Sequence, residues 1–115
     1  MMKIKHGLSD KELRTIKQVL INYATKIEKV GILGSRANGQ YKHYSDIDIV
    51  LYGELNQQEI NRINTLFDES NISLRVDVKN YQSISYPPLK RHMDEVVQIL
   101  FTKEKLQLND EKESK

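Results

Sequence analysis

The sequence predicts one α+β domain, with short buried strands interleaved among amphipathic helices. Three observations carry this. A capping box opens a long stretch of helical periodicity near the N-terminus. Two short β-branched runs each stop at a glycine, and a later run alternates apolar and polar residues with period two. With 115 residues the chain has room for one real core and none for a second lobe.

The first helix is expected over Asp10 to Ile27. Ser9 is placed as N-cap with Glu12 at the third helical position, and Leu13, Ile16, Val19, Leu20, Tyr23, Ala24 and Ile27 recur on one face. Lys29 to Leu33 reads as a buried strand ending at Gly34. Gly34 to Ser45 reads as a turn, one or two helical turns and a loop. Asp46 to Tyr52 is a second strand closed by Gly53. Ile60, Ile63, Leu66 and Phe67 mark a second amphipathic helix over Asn56 to Ser70, with Asn71 as its stop. Leu74 to Val78 is a third strand, with Leu74, Val76 and Val78 on one face and Arg75 and Asp77 on the other. Pro88 suits the first turn of a short helix reaching Asp94. Glu95 to Phe101 fits a helix end or a short strand, and is read as strand. Residues 1–8 are expected to form an N-terminal arm, 9–103 the folded domain and 104–115 a polar tail.

Composition narrows the function. Basic and acidic residues number 18 and 16, leaving a net charge of +2, which gives no electrostatic case for nucleic acid or membrane. Cysteine is absent, so disulfides and thiolate metal sites are excluded. No apolar run reaches membrane-spanning length and the N-terminus lacks a signal-peptide core, so a cytoplasmic location is expected.

The chemistry concentrates in Gly34-Ser35-Arg36-Ala37-Asn38-Gly39 and Ser45-Asp46-Ile47-Asp48, with ten residues between Ser35 and Asp46. Strand period places Asp46 and Asp48 on one face, away from Ile47, Ile49 and Leu51. Two adjacent carboxylates repel unless a cation lies between them, and oxygen-only ligands at an accessible strand end suit Mg²⁺. A D-x-D at a strand start also reads as an ordinary solvated edge. Asp77 joins the same patch if the third strand pairs with the second, and three converging acids are what a two-metal transfer centre needs. Gly34 and Ser35 follow a strand and open a helix, where free N–H groups favour a phosphate, with Arg36 as a further charged contact. The alternative there is a plain serine N-cap. The order of these parts, rather than any one of them, points to phosphoryl or nucleotidyl transfer.

Gly34, Ser35, Asp46 and Asp48 match G-S-x(10)-D-x-D, and on these residues the chain resembles the DNA polymerase β-like nucleotidyltransferase superfamily. Its size and the Tyr44-Ser45-Asp46 and Arg75-Val76-Asp77 contexts resemble the minimal nucleotidyltransferases, the MntA-type antitoxins of HEPN/MNT toxin–antitoxin pairs. The resemblance spans roughly Ser9 to Lys103 and departs at Asn38, where many relatives carry arginine before the second glycine. It implies a single-domain minimal nucleotidyltransferase fold, a small mixed β-sheet packed by helices. It implies Mg²⁺, as two ions, on Asp46, Asp48 and Asp77, with Asp77 helping to activate an acceptor hydroxyl. Gly34, Ser35 and Arg36 would bind the nucleoside triphosphate. The implied reaction moves AMP from ATP to a tyrosine of a partner HEPN toxin, in a hetero-oligomer with that toxin. The alternative is a non-catalytic antitoxin that neutralises its partner by contact.

Other residues carry weaker readings. His6, His43 and His92 share no metal-ligand spacing. His43 and Lys42 lie in the loop before the aspartates and read as solvated or as phosphate contacts. Tyr81 and Tyr86 flank the loop after the third strand and read as packing residues or as a platform for a base or partner.

Overall fold

The computed structural model describes residues 6–107. They form a four-stranded mixed sheet and five helices. Helix α1 spans Asp10–Leu20, and its capping box is present: Ser9 accepts from Glu12 N–H and the Glu12 side chain accepts from Ser9 N–H. Strand β1 is Ile27–Leu33, the short helix α2 is Ser35–Asn38, and β2 is Ile47–Gly53. Helix α3 spans Gln57–Asp68 behind a second capping box made by Asn56 and Glu59. Strand β3 is Val76–Asn80, α4 is Pro87–Val96, β4 is Gln98–Thr102 and α5 is Lys103–Gln107.

Several expected boundaries move. The first helix ends at Leu20, is followed by a single 3₁₀ turn over Ile21–Tyr23, and leaves Ile27 as the first residue of β1. Ile27 sits on the helical period, but it also begins a β-branched run, and pairing with Gly53 across the sheet decides its state. The third strand starts two residues later than its alternation implied, so Arg75 precedes it. The second amphipathic helix stops at Asp68, with Glu69 rather than Asn71 closing it. The ambiguous 95–101 run divides: α4 continues to Val96, and β4 takes over at Gln98.

The strand order is β3-β2-β1-β4. β1 runs antiparallel to β2 and β4, whereas β2 and β3 are parallel, with α3 making the crossover that a parallel pair requires. One face of the sheet carries the main core. Ile16 and Leu20 of α1, Ile60, Ile63 and Phe67 of α3, and Leu106 of α5 pack there on Val30, Ile32, Ile47, Ile49, Leu51, Val76 and Val78. Leu106 is fully buried although it falls in the stretch expected as tail. Leu8, expected in the arm, is in the same cluster, and Gly7 sits so close to the Tyr41 ring that a Cβ would come within 2.2 Å of a ring carbon. Residues 1–5 of the arm and the tail beyond Gln107 lie outside the described residues.

The opposite face is only partly covered. Val50, Tyr52 and Met93 form a second buried cluster, so α4 roofs the far end of β2 and leaves the Asp48 end open. Tyr81 anchors this roof: its ring lies 4.5 Å from that of Tyr52, and its hydroxyl donates to Asp94 Oδ2 at 3.1 Å.

The free edge of β3 is closed by one side chain. Asn64 of α3 accepts from Val78 N–H at 3.0 Å and donates to Val78 C=O at 3.4 Å, occupying the backbone positions that another strand would use. Removing it strands both groups, so Asn64→Ala is expected to lower stability by about 1–2 kcal/mol in urea denaturation. Arg62→Ala, at an exposed position on the same helix, should change it by less than about 0.5 kcal/mol.

Candidate active site

Sheet register builds the site. Leu33, the last residue of β1, lies opposite Asp48 of β2, and Asp48 lies beside Asp77 of β3. Paired residues on adjacent strands share a face, with strands about 4.8 Å apart. Asp48 and Asp77 are therefore neighbours, and the turn that begins at Gly34 starts directly beside them.

Gly34 has φ +71°, and a Cβ there would lie 2.9 Å from Asp48 Oδ2. Both the backbone and the carboxylate demand glycine at this point. Ser35 opens α2, in which the N–H groups of Ala37 and Asn38 donate to Gly34 C=O at 3.0 and 3.3 Å. Asp46 is exposed, one residue before β2 begins. Asp48 is half-buried, and burial raises its carboxyl above the ordinary range. Lys79 opposes that shift, Asp77 and Asp46 reinforce it by repulsion, and Arg75 opposes it again.

Arg36 has a different position from the one expected. It is 1% exposed, and its guanidinium is spent on backbone carbonyls. Nη1 donates to His6 at 2.8 Å, Nη2 donates to Ser45 at 3.0 Å and Lys42 at 3.4 Å, and Nε donates to Ser45 at 3.2 Å. The fork ties the N-terminal approach to the loop that delivers Asp46. Charge and adjacency to Gly34-Ser35 suggested a phosphate contact, but burial turned the side chain inward.

The three acids do not gather into a preformed cage. Among the described residues, no three His, Cys, Asp or Glu side chains stand close enough together to hold a metal ion. Asp77 Oδ2 instead takes Lys79 Nζ at 2.6 Å. The reason is repulsion: unpaired carboxylates spread apart and recruit an available ammonium. The donor set still fits a hard dication. It is all oxygen, accessible and paired across two strands, and charging Asp48 is disfavoured by surroundings that a cation would relieve.

Beside the acids lies a cavity of about 520 Å³, lined among others by Leu33, Gly34, Lys79, Ile84, Leu89 and Met93. Neither this cavity nor Lys79 was found from sequence, although period two along β3 places Lys79 on the Asp77 face. Of the weaker candidates, Tyr86 is 65% exposed, and the His43 ring packs edge-on against the equally exposed Tyr44.

A glycine-serine turn abutting paired acids on a small mixed sheet defines a nucleotidyltransferase fold. Residues 14–106 match the model of the polymerase β nucleotidyltransferase family, and the chain belongs to that family. By sequence, no curated protein matches it. Among solved structures, a toxin–antitoxin complex with AMP-PNP is similar at TM-score 0.65 and 19% identity, over 83% of this chain and 80% of that one. A toxin–antitoxin MntA–HpeT mutant matches at TM-score 0.63 and 17% identity over the same shares. A protein of Sulfolobus solfataricus assigned to the nucleotidyltransferases matches at TM-score 0.50 and 26% identity, over 83% of this chain and 84% of that one. The family match thus makes the chain a nucleotidyltransferase of the polymerase β-like superfamily, and the two toxin–antitoxin structures share its fold.

Two predictions separate structural from chemical roles. Arg36→Met leaves three carbonyls without their donor and should cost about 2–3 kcal/mol of stability, read by urea denaturation. Asp48 takes up a proton more readily folded than unfolded, so it lowers stability as pH rises through the carboxylate range and costs nothing below it. In EDTA, Asp48→Asn should therefore raise Tm at pH 7 and leave it unchanged near pH 3, as read by thermal melts.

Proposed function

We propose that the chain is a Mg²⁺-dependent protein adenylyltransferase that acts as the antitoxin of a toxin–antitoxin pair. In this reading it moves AMP from ATP to a hydroxyl, a tyrosine, of a HEPN-type toxin. The observation that carries the reading is the register that sets Gly34 against Asp48 and Asp48 beside Asp77. The family match supports nucleotidyl transfer, and the two toxin–antitoxin neighbours, one of them with AMP-PNP, support the partner and the adenine nucleotide.

Each role follows from chemistry. Asp46, Asp48 and Asp77 would hold Mg²⁺, and the ion would offset phosphate charge and acidify the attacking hydroxyl. The Gly34-Ser35 turn brings backbone N–H groups up to the triphosphate without a side chain between. Asp77 takes the hydroxyl proton as the oxygen attacks the α-phosphorus. The new O–P bond forms as the bond to pyrophosphate breaks, and pyrophosphate leaves. The acceptor comes from the partner, and the two form a hetero-oligomer. Arg36, buried on the carbonyls of His6, Lys42 and Ser45, supports this machinery by fastening the loop that ends at Asp46.

The test is intact-mass measurement of the co-expressed toxin with ATP and Mg²⁺. The expected result is one or more AMP increments on the toxin, lost with Asp46→Asn and with chelation. A toxin that stays unmodified with every nucleotide, yet remains silenced by Asp46→Asn and Asp77→Asn, would instead establish neutralisation by contact. That second reading draws on the Lys79 ammonium on Asp77, which lets the acids persist without an ion.

A further inference from the structure

We propose that Lys79 exchanges partners during the reaction cycle, holding Asp77 in the nucleotide-free protein and swinging into the adjoining cavity to bind the triphosphate once a divalent cation takes the carboxylates. The inference rests on the metal-dependent reading above.

Three observations lead there. First, Lys79 Nζ sits 2.6 Å from Asp77 Oδ2, on the oxygens that a cation would need. An ammonium and a dication cannot share one small carboxylate patch, since each repels the other at that range. Second, the ion pair is cheap to break. Its side chains are 47% and 44% exposed, and exposed pairs of this kind contribute little. Third, the place left to the ammonium lacks a negative group. The cavity that Lys79 lines is also lined by Gly34, and the ionisable residues among its lining are Lys79 and His92, with no carboxylate. A displaced ammonium there would have no counter-charge unless a ligand brought one. The volume, about 520 Å³, falls in the range of small-molecule sites, and the Gly34 turn marks where phosphates would enter. A polyphosphate is the ligand whose charge answers Lys79 at that position. The same lysine thereby discourages an ion from settling in the acids before the nucleotide arrives.

Opposite effects on two binding reactions test this, using the full chain without its partner. Mn²⁺ alone is titrated by the loss of the free-ion electron paramagnetic resonance signal. Lys79→Met should bind Mn²⁺ about 3–10-fold more tightly than wild type, because the competing charge is gone. The same variant should bind ATP, with Mn²⁺ saturating, about 10-fold or more weakly. Lys79→Arg should stay near wild type in the metal titration. A role limited to supporting the fold would weaken both reactions together, and that result overturns the proposal. So does unchanged Mn²⁺ affinity in Lys79→Met while Asp48→Asn abolishes binding. If wild type itself takes up no Mn²⁺, the metal-dependent reading falls and this inference falls with it.

Discussion

Two carboxylates side by side on neighbouring strands are an arrangement that a folded protein does not accept without compensation. Here parallel pairing of β2 with β3 forces it, because Asp48 and Asp77 occupy the same row of the sheet. Much of the surrounding structure answers to that constraint. Lys79 supplies a positive charge to Asp77, and Gly34 surrenders its side chain so that Asp48 has room. The main core lies on the other face, so the stability that holds the acids in place is generated away from them.

The placement of α4 gives the open face its shape. By covering Val50 and Tyr52, it turns a sheet surface into a cavity that is also lined by Gly34 and Lys79, the neighbours of Asp48 and Asp77. The Tyr52–Tyr81–Asp94 chain of contacts fixes how far the roof extends. A nucleotide site needs both halves: charged groups for phosphate and cation, and an enclosed apolar space beside them.

Arg36 shows how a motif can carry structure and chemistry in adjacent residues. Gly34 abuts Asp48, while the Arg36 side chain points inward and fastens the loop between α2 and β2 to the N-terminal approach. That loop ends at Asp46. The buried fork therefore bears on the site through the position of an aspartate.

Local physics made much of this legible in the sequence. The Ser9–Glu12 capping box, the alternation around Asp77 and the helical stripe of Ile60, Ile63 and Phe67 depend on neighbours a few residues away, and such signals survive without tertiary context. On the spacing of Gly34, Ser35, Asp46 and Asp48 the chain resembled the polymerase β-like nucleotidyltransferases, and the family match over residues 14–106 agrees. What the chain alone left open were choices made by distant partners. Ile27 became strand because Gly53 pairs with it, and Leu8 and Leu106 joined the core because the sheet offered them a face. Arg36 turned inward because three carbonyls, from His6, Lys42 and Ser45, converge on it only after folding. The pairing of Asp48 with Asp77, and the ammonium of Lys79 laid across it, required a parallel register between strands separated by a whole helix. Periodicity places a side chain on a face of its strand, but only the sheet decides which strand lies beside it.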